Sequence, residues 1–406
     1  MAKLKRSVSW TMFSLYGLGN ILGAGIYVLV GEVAAVAGDG LLWSFLIAGV
    51  AATFTTITYS SFAKKYPVSA GAAVYTERAF NSKVFSTIIG LSLAFTGVVS
   101  ASVMLHGFER YFQQLISLTV FGGVIPSQLV ILVMIGLLSL VAFRGIQESA
   151  VLAVGLTVIE ATGLLLIIGF AGVNGDIMSS LHRSVGAIQG NEPTAILLGG
   201  FLAFYAFIGF EDMVNIAEEV KDPKKSLRKG MLVALAGATV LYVGIAIAAL
   251  SVLSAQELAN SRAPLASVFQ AASGSTLPII TIIGLFAVTN GIIAQIIMSS
   301  RVLYGLAREG WLPSQFARIS NKTHTPTYAT AIAVVVIAIG TLALPLLALA
   351  KITSFALLII FSIVQIAAIR LISKKQLKLN ILVPIIGLIT NLVIIAIQIL
   401  AWLGRL

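Results

Sequence analysis

The sequence predicts an all-α integral membrane protein of eleven spans. Ten form two inverted repeats of five helices, broken in helices 1 and 6, and one extra helix follows. Three observations lead there. Hydrophobic residues make up 58% of the 406 positions and charged ones only 10%, with a mean hydropathy of +1.02, whereas roughly a quarter of a soluble domain is charged. Apolar runs of about twenty residues, the length of one bilayer crossing, recur to the end of the chain. The first and sixth runs are interrupted at corresponding places by glycines and polar residues, as expected when two halves repeat in inverted topology.

Taken in order, the N-terminal MAKLKR resembles the basic start of a signal peptide. The apolar run after it has no A-x-A-like cleavage site, so 11–36 is a retained span 1. Span 2 (41–63) ends on Lys64 and Lys65, and span 3 (84–107) follows Arg78 and Lys83. Span 4 (127–143) is closed by Arg144, and spans 5 (149–173) and 6 (195–217) follow. Lys221, Lys224, Lys225, Arg228 and Lys229 lead into span 7 (229–253). Span 8 (277–302) precedes Arg308, Arg318 and Lys322, and span 9 is 327–347. Spans 10 (350–370) and 11 (380–402) flank Lys374, Lys375 and Lys378. With a cytoplasmic N-terminus, only Arg110, Arg183, Arg262, Lys351 and Arg405 of the 26 Lys and Arg residues lie outside. That is the positive-inside bias. It places the N-terminus in the cytoplasm and the C-terminus outside a plasma membrane. Residues 1–406 form a single transmembrane domain, with repeats at 11–173 and 195–370 and the extra helix at 380–402.

The net charge of +11 belongs to loops facing anionic lipid, and no nucleic acid partner is implied. The absence of cysteine excludes disulfides, thiolate nucleophiles and Cys-ligated metals. His106, His182 and His324 are too scattered for a metal site, and neither HExxH nor a nucleophile with its base is present. No enzyme activity, metal or cofactor is expected. Asn321-Lys322-Thr323 matches a glycosylation sequon but falls on the cytoplasmic side, as a chance match.

Span 1 reads Gly17-Leu18-Gly19-Asn20-Ile21-Leu22-Gly23-Ala24-Gly25-Ile26. Two readings stand: Gly19 and Gly23 are a GxxxG packing face, or the whole cluster unwinds the helix and bares its backbone. Span 6 runs from Gly199 through Phe204-Tyr205-Ala206-Phe207-Ile208-Gly209-Phe210 to Glu211-Asp212. Acids at membrane depth are costly unless paired, protonated or wetted; the alternative is that both snorkel to the interface. Two broken helices offer N–H groups to a carboxylate and carbonyls to an ammonium, which suits a zwitterionic amino acid.

At these residues the chain resembles the amino acid–polyamine–organocation (APC) transporter family, in its cationic amino acid transporter-like branch. Gly23-Ala24-Gly25-Ile26 is similar to the family's carboxylate-contacting stretch, and Phe204 to Glu211 to its helix 6 signature. Ala217-Glu218-Glu219-Val220-Lys221-Asp222-Pro223 and Arg301 to Pro313, with Thr325-Pro326, resemble the loops after helices 6 and 8. The resemblance covers roughly 8–402, although the family commonly has twelve helices. It implies a secondary active transporter of amino acids working by alternating access. Ile21, Gly23, Ala24, Gly25, Ile26, Phe204, Tyr205, Ala206, Phe207 and Ile208 then contact the substrate. Tyr205 covers it as a gate, the backbone from Ala206 to Ile208 receives the amino group, and Glu211 serves gating.

Where some bacterial members of the branch carry a transport-linked lysine on helix 5, this chain has Glu160. A carboxyl isolated in hydrocarbon can take up a proton near neutral pH, making Glu160 the proton-coupling candidate. The other reading is a protonated glutamate hydrogen-bonded between helices. Thr289, Asn290, Gln295, Ser299 and Ser300 in span 8, and Thr353 and Ser354 in span 10, are oxygen donors for a cation or substrate, or helix-to-helix hydrogen bonders. Asn290 is counted with Glu160, Tyr205 and Glu211 as a coupling or gating residue. The expected partners are an amino acid, protons and membrane lipids. Proton symport leads; amino acid or polyamine exchange is the alternative, and a diamine fits less well because it lacks a carboxylate. A channel would show unsaturable flux.

Overall fold

The computed structural model describes residues 8–66, 71–118, 125–144, 150–190, 193–214, 220–320 and 325–405. The helices are α1 (Trp10–Ala37), α2 (Leu41–Lys65), α3 (Gly71–Phe80), α4 (Lys83–Ser117), α5 (Ser127–Arg144) and α6 (Ala150–Asn174). They continue with α7 (Ile177–Gln189), α8 (Pro193–Ala203), α9 (Pro223–Val252), α10 (Ala255–Asn260) and α11 (Pro264–Ser273). The last are α12 (Ile279–Arg308), α13 (Thr327–Ala343), α14 (Leu346–Ser373) and α15 (Leu382–Trp402). Each expected span overlaps one of them. Among the described residues, 8 stretches are long and apolar enough to cross a membrane, the first running from Gly25 to Lys65. Ser127–Phe143 and Thr327–Ala343 are apolar but shorter. Leu132, Leu137 and Leu140 on α5 and Ile386, Ile389 and Val393 on α15 remain exposed, which hydrocarbon accepts and water does not. The protein is an all-α, multi-span membrane protein.

The expected break in helix 1 is not found. α1 is one continuous helix of 28 residues, about 42 Å long at 1.5 Å per residue. Its glycines serve close approach instead. A Cβ at Gly17 would lie 2.3 Å from the Met213 side chain, and one at Gly19 2.0 Å from the Thr157 hydroxyl. At Gly23 it would lie 3.1 Å from the Ala287 carbonyl, and at Gly25 2.0 Å from Ala206 Cα. The GxxxG reading therefore holds in this conformation, with Gly19 set against α6 and Gly23 against α12. Small residues let helix backbones approach where hydrophobic burial gives no advantage over lipid.

α1 occupies the centre of the bundle, packed on α6, α8, α9 and α12. α4 lies along α12, α2 covers α8 and α9, and α15 sits outermost on α14, α2 and α8. The short helices α3, α7, α10 and α11 were not expected from hydropathy. α7 exposes Met178, Val185 and Ile188, while the Trp43 indole donates to its Ser184 carbonyl at 2.7 Å. At the start of α1, Val8 forms a parallel bridge with Val220. The Lys221 N–H donates to the Val8 carbonyl at 2.8 Å, and the Lys229 ammonium sits 3.6 Å from the centre of the Trp10 ring. Lys3, Lys5, Arg6, the 217–219 part of the loop after span 6 and the sequon lie outside the described residues.

Gly19→Val forces α1 from α6 and is expected to destabilise the fold by about 1–3 kcal/mol, the usual cost of overpacking. Gly136→Ala, with nothing within 4 Å of the added methyl, is expected to be neutral or mildly stabilising. Thermal unfolding in detergent distinguishes the two.

Candidate functional site

The site grows from one interruption. α8 stops at Ala203, Phe204–Phe207 tighten into a 3₁₀ turn, and Ile208 is extended with ψ of 141°. Gly209 follows at φ +121°, a left-handed-side conformation that favours glycine. A Cβ there would also lie 2.5 Å from the Asn20 carbonyl of α1. The expected break in helix 6 is therefore present, and at Gly209 it touches α1.

An interrupted helix leaves backbone groups without partners, which low-dielectric surroundings punish. Here side chains supply them. The Gly209 N–H, the i+3 donor a continuing 3₁₀ turn would offer Ala206, instead donates to Glu211 Oε2 at 2.9 Å. The Ala206 carbonyl accepts from the Tyr242 hydroxyl at 2.8 Å, and the same hydroxyl lies 2.7 Å from the Ile21 carbonyl of α1. Tyr242, on α9, is fully buried, with its ring 5.1 Å from Phe207 and 5.6 Å from Phe45. Sequence reading missed it: a lone tyrosine in the apolar run of span 7 carries no local mark, and its partners lie 221 and 36 residues away.

The substrate-contact candidates come together at this point. Gly25 packs directly on Ala206, and Ile21, Ile26, Phe204, Tyr205, Phe207 and Ile208 are all buried; of Ala24 only the helical backbone is described. Tyr205 is pinned rather than loose. Its hydroxyl donates to the Ser100 carbonyl at 3.0 Å and lies 2.8 Å from the Ser100 hydroxyl on α4. Phe204 meets Phe361 edge to face at 6.0 Å.

Two of the coupling candidates also meet. Glu160 on α6 is 1% exposed, and the Asn290 amide of α12 donates to its Oε1 at 3.5 Å. The Glu160 carboxyl stands 3.7 and 3.8 Å from the place a Cβ would take at Gly23. Tyr27 donates to the Glu160 carbonyl at 2.9 Å, and Tyr111 to the Tyr27 carbonyl at 3.1 Å. Glu211 belongs to the break itself. Asp212 beside it accepts from Gln295 Nε2 at 3.0 Å, and both acids are buried, at 6% and 7% exposure, so neither snorkels. Among the described residues neither has a salt-bridge partner. Ser300 and Thr353 donate to carbonyls of their own helices, as ordinary membrane helix residues do.

A helical bundle with a central interruption and buried carboxyls fits a membrane carrier of small solutes, the class to which the family match assigns it. The chain belongs to the amino acid permease family, whose model matches residues 8–403. It is 28% identical to the branched-chain amino acid permease BcaP of Bacillus subtilis, over 92% of this chain and 82% of that protein. It is 27% identical to the methylthioribose transporter of the same organism, over 95% and 86% of the two chains. The vacuolar cationic amino acid transporter 4 of Arabidopsis thaliana is 28% identical over 84% of this chain and 58% of its own length. The family is one of transporters, not catalysts.

Glu211→Ala strands the buried Gly209 N–H and is expected to lower stability by about 1–3 kcal/mol. Glu211→Gln keeps an acceptor and is expected to cost less. Gly209→Ala, strained by φ and by the Asn20 carbonyl, should be the worst of the three in the same unfolding measurement.

Proposed function

We propose that the protein moves amino acids across the plasma membrane by proton-coupled symport, through alternating access around the contact between α1 and the break in helix 6. The observation that carries this reading is that contact itself: Gly25 on Ala206 and Asn20 on Gly209. It sets a carbonyl that has left regular helix beside the glycine-rich stretch of α1. The break offers carbonyls to an ammonium. The carboxylate half needs a further step, because a continuous α1 uses the N–H groups from Gly23 to Ile26 in its own hydrogen bonds. Glycine costs a helix about 1 kcal/mol relative to alanine at each position, so the Gly17–Gly25 stretch is where α1 yields most readily. Loading opens it, and the substrate carboxylate takes the freed amides.

The side chains around this contact are mostly apolar, and the hydroxyls of Tyr205 and Tyr242 are tied to carbonyls, so an uncharged substrate side chain fits best. Glu160, behind Gly23 and beside Asn290, is the proton site, and Glu211 holds the gate. The core is ten helices in two inverted repeats, 11–173 and 195–370, with 380–402 outside them. The N-terminus is cytoplasmic and the C-terminus external.

The test is uptake of a panel of radiolabelled amino acids into proteoliposomes, with and without an inward proton gradient or internal unlabelled substrate. Saturable, gradient-driven uptake is expected. Uptake only against internal substrate would establish an exchanger instead. Glu160→Gln should lose stimulation by the gradient while exchange persists; an unchanged gradient response in that variant removes Glu160 from coupling.

A further inference from the structure

We propose that Tyr242 stands in for the substrate's ammonium group, clamping α1 to the break while the carrier is empty. The inference rests on the amino acid reading above and adds a positioning residue to it. The geometry is a mismatch in proton count. A phenol has one proton to donate, yet the Tyr242 hydroxyl lies within 2.7 Å of the Ile21 carbonyl and 2.8 Å of the Ala206 carbonyl. Ile21 has its helix partner as well, while Ala206 has lost its turn donor, the Gly209 N–H, to Glu211. The ring is fully buried between Phe207 and Phe45. A single shared proton therefore holds two elements together where a group with several protons would do so better.

An ammonium has three N–H bonds. When it reaches the carbonyls of the break it supplies Ala206, and the Tyr242 proton passes wholly to Ile21. Both the empty and the loaded carrier then satisfy the two carbonyls and can close; the empty one does so through Tyr242. Return of the empty carrier is the step that separates net uptake from exchange. Without the hydroxyl, only the loaded carrier closes well, and a symporter turns into an exchanger.

The experiment compares Tyr242→Phe with wild type in the same proteoliposomes, once for net uptake and once for exchange against internal unlabelled amino acid. Net uptake is expected to fall about tenfold and exchange less than about twofold, because only the unloaded population is shifted. Equal losses in both modes, or no loss in either, overturn the inference. The ratio is internal to one preparation, so a smaller folded fraction does not alter it. A second measurement needs no reconstitution: saturating amino acid should raise the unfolding midpoint in detergent further for Tyr242→Phe than for wild type. An equal rise overturns the stand-in role. A wild type that transports no amino acid in either mode overturns the substrate reading and this inference together; failure of the ratio alone leaves that reading in place.

Discussion

Hydrocarbon offers no water to a backbone N–H or carbonyl, so wherever a spanning helix stops, neighbouring side chains must complete its hydrogen bonds. That constraint organises this molecule around one unwound stretch between Ala203 and Val214. Glu211 takes the Gly209 N–H, Tyr242 serves the Ala206 carbonyl, and Gln295 donates to Asp212. Each contact enlists a different element: the break itself, α9 and α12. Ser100 of α4 adds a fourth by holding Tyr205. Two of these contacts complete backbone groups of the break, and the other two tie its side chains to α12 and α4.

The two interruptions read from sequence fared differently for a physical reason. In helix 6 the glycine is followed by two acids, and a glycine at φ +121° with a carboxylate capping its N–H is a local arrangement that such a sequence can signal. In helix 1 the signal was a dense glycine cluster with Asn20 inside it, and such a cluster serves unwinding and close packing equally. Contacts of Gly19 with Thr157 and of Gly25 with Ala206 decide for packing, and no local pattern contains them. Glu160 was legible as an intramembrane acid, but its neighbour Asn290 is 130 residues away. Tyr242 was illegible altogether, since a tyrosine in an apolar run looks the same whether it fills space or bridges two backbones. Helix positions follow from hydropathy; the short helices α3, α7, α10 and α11 do not, because their residues are not continuously apolar.

A continuous α1 and a broken helix 6 in one conformation give the centre an asymmetry that bears on how it changes state. The break is held by specific hydrogen bonds and by a glycine at which any side chain is strained. α1 is held by close packing through glycines, which cost helix stability and permit the helix to part locally. Of the two elements that meet at the centre, α1 is the one with weak helix propensity, and the break is the one with dedicated caps.

The pairing of Val8 with Val220, reinforced by the Lys221 hydrogen bond, also has a consequence for biosynthesis. The chain is made from its N-terminus at about 5–20 residues per second, so the partner of Val8 emerges roughly ten to forty seconds later. Of the residues that finally face the glycines of α1, Thr157 is made within that interval, Ala206 and Met213 only near its end, and Ala287 after it. Insertion of the first helix and its docking are therefore separate events. Gly23, which finally faces Ala287 of α12, is the last part of the glycine face to be covered.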